Sequence, residues 1–161
     1  MPSPWAWSPS WPTDMADTEQ IKELILTSKR LAAADMAEIK AAMPLTKAFF
    51  ADKLRCYVLH KYMLDPDMEL PENFSVLTDL SLARSMRISP ELVREFDLAK
   101  SCDGASSAMT KKVLLFMAIQ RELGIELPAM ESARITSLAA LAELAWNEML
   151  TASAWEGKLK A

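Results

Sequence analysis

Between two apolar, helix-spaced stretches lies the segment Gly124-Ile-Glu-Leu-Pro128, followed seven residues later by Ile135-Thr-Ser-Leu138. Gly124 permits the positive φ that ends a helix. Ile125 and Leu127 flank Glu126, so an extended run there turns two apolar side chains inward. Pro128 stops the first helix from resuming. Thr136 or Ser137 then supplies an N-cap for the next one, and a short helix from Met130 to Arg134 fits in between. Upstream, Ala108 to Leu123 is apolar over most of its circumference, with Val113, Leu114, Leu115, Phe116, Met117 and Ile119. Such a helix is either deeply buried or covered by a partner. Downstream, a helix from about Ser137 to Ser153 places Leu138, Leu141, Leu144 and Trp146 on or near its core side. A chain punctuated this way folds as helix, break, short helix, helix.

The rest of the sequence extends this pattern. Only three of 161 residues are glycine, and 51% are apolar, enough for a core in one all-α domain. Residues 15–45 read as an N-terminal helical extension. Ile21, Leu24, Ile25, Leu31, Met36, Ile39 and Met43 follow helical spacing, with Asp17 or Thr18 as N-cap and Pro44 as terminator, in one long helix or two joined near Ala33 to Asp35. Thr46 caps a further helix, Lys47 to Met63, whose apolar face is Phe50, Leu54, Tyr57, Val58 and Tyr62. Pro66 and Pro71 mark a loop. Ser89 and Pro90 open another helix, running to Lys100, and residues 154–161 form a tail. The first fourteen residues stand apart: Pro2, Pro4, Pro9 and Pro12 forbid a helix, and Trp5, Trp7 and Trp11 have no strand spacing, so a disordered Pro/Trp-rich leader is expected.

The chemistry-bearing residues are sparse. A net charge of −4 argues against a nucleic-acid partner. No run is apolar enough to span a bilayer, and no signal-peptide pattern appears, so a cytoplasmic protein is expected. Cys56 and Cys102 have no metal or disulfide spacing. Cys56 reads as a small core residue, and His60, the single histidine, as a surface residue. No phosphate loop, metal cluster or converging catalytic set is present, and an enzyme is not expected.

Leu123, Gly124, Ile125, Leu127, Pro128, Ile135, Thr136, Ser137 and Leu138 align without a gap with the second-to-fourth-helix region of the acyl carrier protein family, which this chain resembles. Val113, Leu115, Phe116, Ala118 and Ile119 fit that family's second helix in the same register. Phe50, Leu54, Tyr57, Val58 and Tyr62 look like its first helix, and "FSVLTDL", ending at Leu80, like its long first loop. The resemblance covers about residues 47–80 and 109–149. It implies an acyl-carrier-like four-helix bundle over residues 46–153, with an insertion at about 81–108 that adds a helix between helices I and II.

The resemblance also implies a site. Such carriers bear 4′-phosphopantetheine on a serine at the start of the second helix, where unpaired N–H groups favour a phosphodiester. Here the family's Asp-Ser is missing after Leu80, and Gly104-Ala-Ser-Ser107 takes its place. Counting forward from Gly104 makes Ser107 the attachment residue, with Ser106 beside it, whereas counting back from Gly124 arrives at Met109. Ser106 and Ser107 also read as plain helix caps, and Cys102 as a thiol able to hold a thioester directly. Lys111 and Lys112 stand at a helix start that is acidic in typical carriers, which disfavours docking on basic enzyme patches.

The expected function is an atypical acyl carrier, presenting a thioester to acyl-transferring or acyl-activating enzymes after loading by a phosphopantetheinyl transferase. The alternative is a degenerate carrier-fold interaction module without a prosthetic group.

Overall fold

The computed structural model describes residues 15–86, 91–92 and 107–160. The leader, most of the helix expected from Pro90 to Lys100, Cys102 and the turn through Ser106 lie outside the described residues. Helices α1 (Met15–Ala41), α2 (Lys47–Lys61), α3 (Phe74–Met86), α4 (Ser107–Leu123), α5 (Ala129–Arg134) and α6 (Leu138–Thr151) dominate. Two two-residue strands, β1 (Leu45–Thr46) and β2 (Leu159–Lys160), pair in parallel. The chain is therefore mainly α.

Helix α1 is continuous, so Asp17 and Thr18 lie inside it rather than capping it. A short link folds α2 back along it. Glu38 meets Lys53 at 2.5 Å, and three residues earlier in α1 Asp35 meets His60, seven residues later in α2, as antiparallel packing requires. Ala32, Met36 and Ile39 bury the inner stripe of α1. Thr46 caps α2 by accepting the Phe49 N–H at 3.3 Å, a contact of a kind that typically stabilises by about 1 kcal/mol. Phe50, Leu54, Tyr57, Val58 and Leu59 make α2 the central rod of the core. The Phe50 ring lies 5.6 Å from that of Trp146 in α6.

The segment Phe74-Ser-Val-Leu-Thr-Asp-Leu80, expected as loop, is the first half of α3. Asn73 drives the change. Its Oδ1 accepts the N–H of Ser75 at 2.9 Å and of Val76 at 3.4 Å, satisfying donors that a helix start otherwise leaves open. Helix α3 in turn closes the end of α2. Buried Ser81 donates to the Tyr62 carbonyl at 2.7 Å, and Arg84 donates to that of Met63 at 2.6 Å.

The connector after α4 behaves as its residues dictate. Gly124 sits at φ +64°, and the Ile125 N–H reaches back to the Gln120 carbonyl at 3.1 Å, the six-to-one bond of a Schellman ending. Ile125 and Leu127 are buried while Glu126 is exposed. The Leu127 N–H is held by the Gln120 side-chain oxygen at 2.7 Å. Ser137, not Thr136, caps α6, accepting from Ala140 N–H at 3.1 Å. The starts of α3 and α6 are laced together: Phe74 N–H donates to Thr136 O at 2.9 Å, and Leu138 N–H to Glu72 O at 3.0 Å. Residues beyond 153 join the core through Trp155, whose indole N–H donates to the Leu123 carbonyl at 2.7 Å.

Candidate functional site

Helices α3, α4 and α5 leave a cleft of about 600 Å³ between them, within the range of small-molecule sites. Three features of the sequence open it. The α4 residues Leu115, Phe116, Ile119 and Leu123 are buried, each contributing about 1.5–3 kcal/mol, and they anchor one flank of the helix. Pro128 starts α5 as a separate short helix instead of prolonging α4. No residue of α5 itself is buried, so α5 stands over the interior without filling it.

The wall is apolar, with Phe74 from α3, Val113, Phe116 and Met117 from α4, and Leu127 and Ile135 from the connector. The Phe74 and Phe116 rings meet edge to face at 5.7 Å and form its floor. Val113, Leu114 and Met117 are all more than half exposed. The expectation of an α4 buried or covered around its circumference therefore holds for one flank only within this chain. Leu141 is fully buried and Leu144 packs against the core, but neither borders the cleft.

Ser107 is the first residue of α4 and is exposed. It immediately precedes Ala108, which lines the cleft. Ser106 and Cys102 lie outside the described residues. Met109, where the backward count arrives, is exposed at the cleft edge.

Lys111 and Lys112, expected at an exposed helix start, are half-buried. Each sets its ammonium over an aromatic face, as long cationic side chains do when apolar surface is near. The Lys111 ammonium lies 5.3 Å from the centre of the Tyr62 ring. That of Lys112 lies 5.5 Å from Phe116 and 6.0 Å from Phe74 and donates a hydrogen bond to the Ile135 carbonyl. Burial pulls both ammonium groups below the usual lysine range. The cleft is thus an oily trough with one cation in its wall. The contributions of Phe74, Thr78 and Lys112 were not foreseen; the signal for the first two was Asn73 as a cap ahead of a helix-spaced run.

His60 is not a surface residue. Its Nδ1 lies 2.5 Å from Asp35 Oδ2, the imidazole N–H donating to the carboxylate, and both side chains are largely buried between α1 and α2. Cys56, on the same helix, is half-buried, and desolvation pushes its thiol up and away from thiolate character. A smaller groove of about 190 Å³ lies between α1 and α2, lined by Lys29, Lys40, Lys61 and Tyr57, where Glu122 neutralises Lys40 at 2.9 Å. Among the described residues, no group of three or more His, Cys, Asp or Glu side chains is placed to hold a metal, and no helix is long and apolar enough to cross a membrane. Comparison with protein-family models, curated proteins and solved structures returned no match to this chain.

Proposed function

We propose that the protein is an atypical acyl carrier, with Ser107 the residue that bears 4′-phosphopantetheine. The observation that carries this reading is the adjacency of an exposed serine at the start of the 17-residue helix α4 and the apolar cleft that begins one residue later. The residues fit such a group. A helix start is a position that suits a phosphodiester, and Val113, Phe116 and Met117 offer apolar surface to a bound chain. The prosthetic group supplies a terminal thiol that holds the cargo as a thioester. The protein's own part is to anchor, to shield and to present.

Intact mass after incubation with coenzyme A and a broad-specificity phosphopantetheinyl transferase tests the proposal. The expected result is a gain of one arm that Ser107→Ala abolishes. Absence of any gain in the unaltered protein refutes it, and a gain lost only in Ser106→Ala moves the attachment by one residue.

A second reading, the interaction module without a prosthetic group, is supported by the exposed Met109, Val113 and Met117, which line the cleft. It predicts an unmodified protein of native mass held in a stable complex in its own cell.

A further inference from the structure

We infer that the cleft takes an amphipathic acid, a cargo with an apolar body and a carboxylate that Lys112 binds. The inference names the cargo class of the carrier reading, and rests on that reading only for the covalent link at Ser107.

Lys112 is the sole charged residue among the described residues lining the cleft. The Phe74 ring, the Phe116 ring and the Ile135 carbonyl surround it among the described residues, and all three belong to the cleft wall. The ammonium is therefore held at the ligand space rather than out in solvent. None of these partners carries a negative charge. Among the described residues one of the three ammonium protons is used, on Ile135, and the others with the positive charge face an incoming group.

A plain alkyl chain would fill the trough and strip water from the ammonium without offering it a partner. A cationic cargo would be repelled. A cargo with one negative charge balances the one cation among the described lining residues. The lowered proton affinity of Lys112, caused by burial, accords with the want of a carboxylate beside it among the described lining residues.

A purely structural role is the competing account: Lys112 ties α4 to the connector through Ile135 and does nothing else. Binding separates the two. The probes are the monomethyl ester of octanedioic acid, which keeps one carboxylate, and the dimethyl ester, which has none. Each is titrated into the full, unmodified chain and followed by amide shifts of cleft residues such as Ala133 and Ile135. The half-acid is expected to bind roughly tenfold more tightly, the ratio typical of one charge-assisted hydrogen bond. Lys112→Met, which keeps an apolar stem and removes the charge, brings the two probes to within about twofold of each other, and Lys112→Arg preserves the preference.

Equal binding of the two probes to the unaltered protein, no binding of either, or a preference that survives in Lys112→Met overturns the inference. Thermal unfolding confirms that each variant is folded, and Lys112→Gln replaces the methionine variant if that one is not. Because the free probes need no arm, a protein that cannot be loaded at Ser107 yet discriminates between them refutes the carrier reading alone. A protein that loads but does not discriminate refutes only the cargo assignment.

Discussion

Raising the pH should unfold this protein through its two tyrosines, the only two in the chain. Tyr57 and Tyr62 are both 2% exposed, and burial is the main reason that each phenol is pushed up from 10.0 to about 12. For Tyr57 the nearby Glu122 adds to the rise and Arg121 opposes it; for Tyr62 the Thr78 hydroxyl opposes it. A folded-state value above the unfolded one gives stability that is complete below pH 10 and lost as pH climbs through 12. Two units correspond to about 2.7 kcal/mol per tyrosine, so the pair withdraws about 5 kcal/mol across this window, a large share of a typical domain's stability of about 5–15 kcal/mol. Lys111 and Lys112 act in the opposite sense. Their depressed values mean that the unfolded chain holds more protons just below 10.5, so stability rises slightly there before the tyrosines dominate. Tyrosinate absorbance near 295 nm, recorded beside far-ultraviolet circular dichroism, is the assay. Little tyrosinate should form at pH 10.5, and its later appearance should coincide with loss of helix. Tyr57→Phe should halve the signal at nearly neutral cost, since the Tyr57 hydroxyl has no hydrogen-bond partner among the described residues. A smooth titration centred at pH 10 with helix intact would refute the argument, because it would mean that both phenols reach water in the native state.

Two further outcomes follow from the end of α4. Trp155→Phe removes the donor to the buried Leu123 carbonyl and should destabilise the fold by about 1–3 kcal/mol, read as a lower urea midpoint with an unchanged slope; a midpoint identical to that of the unaltered protein contradicts the capping role. Gly124→Ala should cost only about 1 kcal/mol, since a Cβ there meets no atom within 4 Å and the penalty is that of the φ of +64° alone; a loss of several kcal/mol would reveal a steric conflict that the geometry excludes.

Local chemistry made the connector legible. A glycine, an alternating Ile-Glu-Leu, a proline and a capping serine each act within a few residues, and each does in the fold what its side chain demands. Thr46 was legible for the same reason. The helix α3 is hidden because its start is fixed by bonds distant in sequence, Phe74 N–H to Thr136 O and Leu138 N–H to Glu72 O, and its buried Ser81 gains a purpose only once the Tyr62 carbonyl lies above it. The charge of Lys111 and Lys112 places them in solvent, yet the aromatic surfaces that hold them come from the residue just after α2, from α3 and from their own helix. His60 likewise owes its burial to Asp35, 25 residues away. The hydroxyl of Ser107 was readable as a position at a helix start; the cleft behind it was not, because its floor pairs Phe74 with Phe116 across two elements.

The pairing of Leu45 with Leu159 and Thr46 with Lys160 has a consequence for how the molecule is made. It joins positions 114 residues apart (159 − 45 = 114), a long loop to close. On the ribosome, α1 and α2 emerge well before β2 and can pack before this latch forms. The antiparallel α1–α2 hairpin, built from near neighbours, is therefore suited to assemble early, and the latch with its adjoining tryptophan to fasten after it.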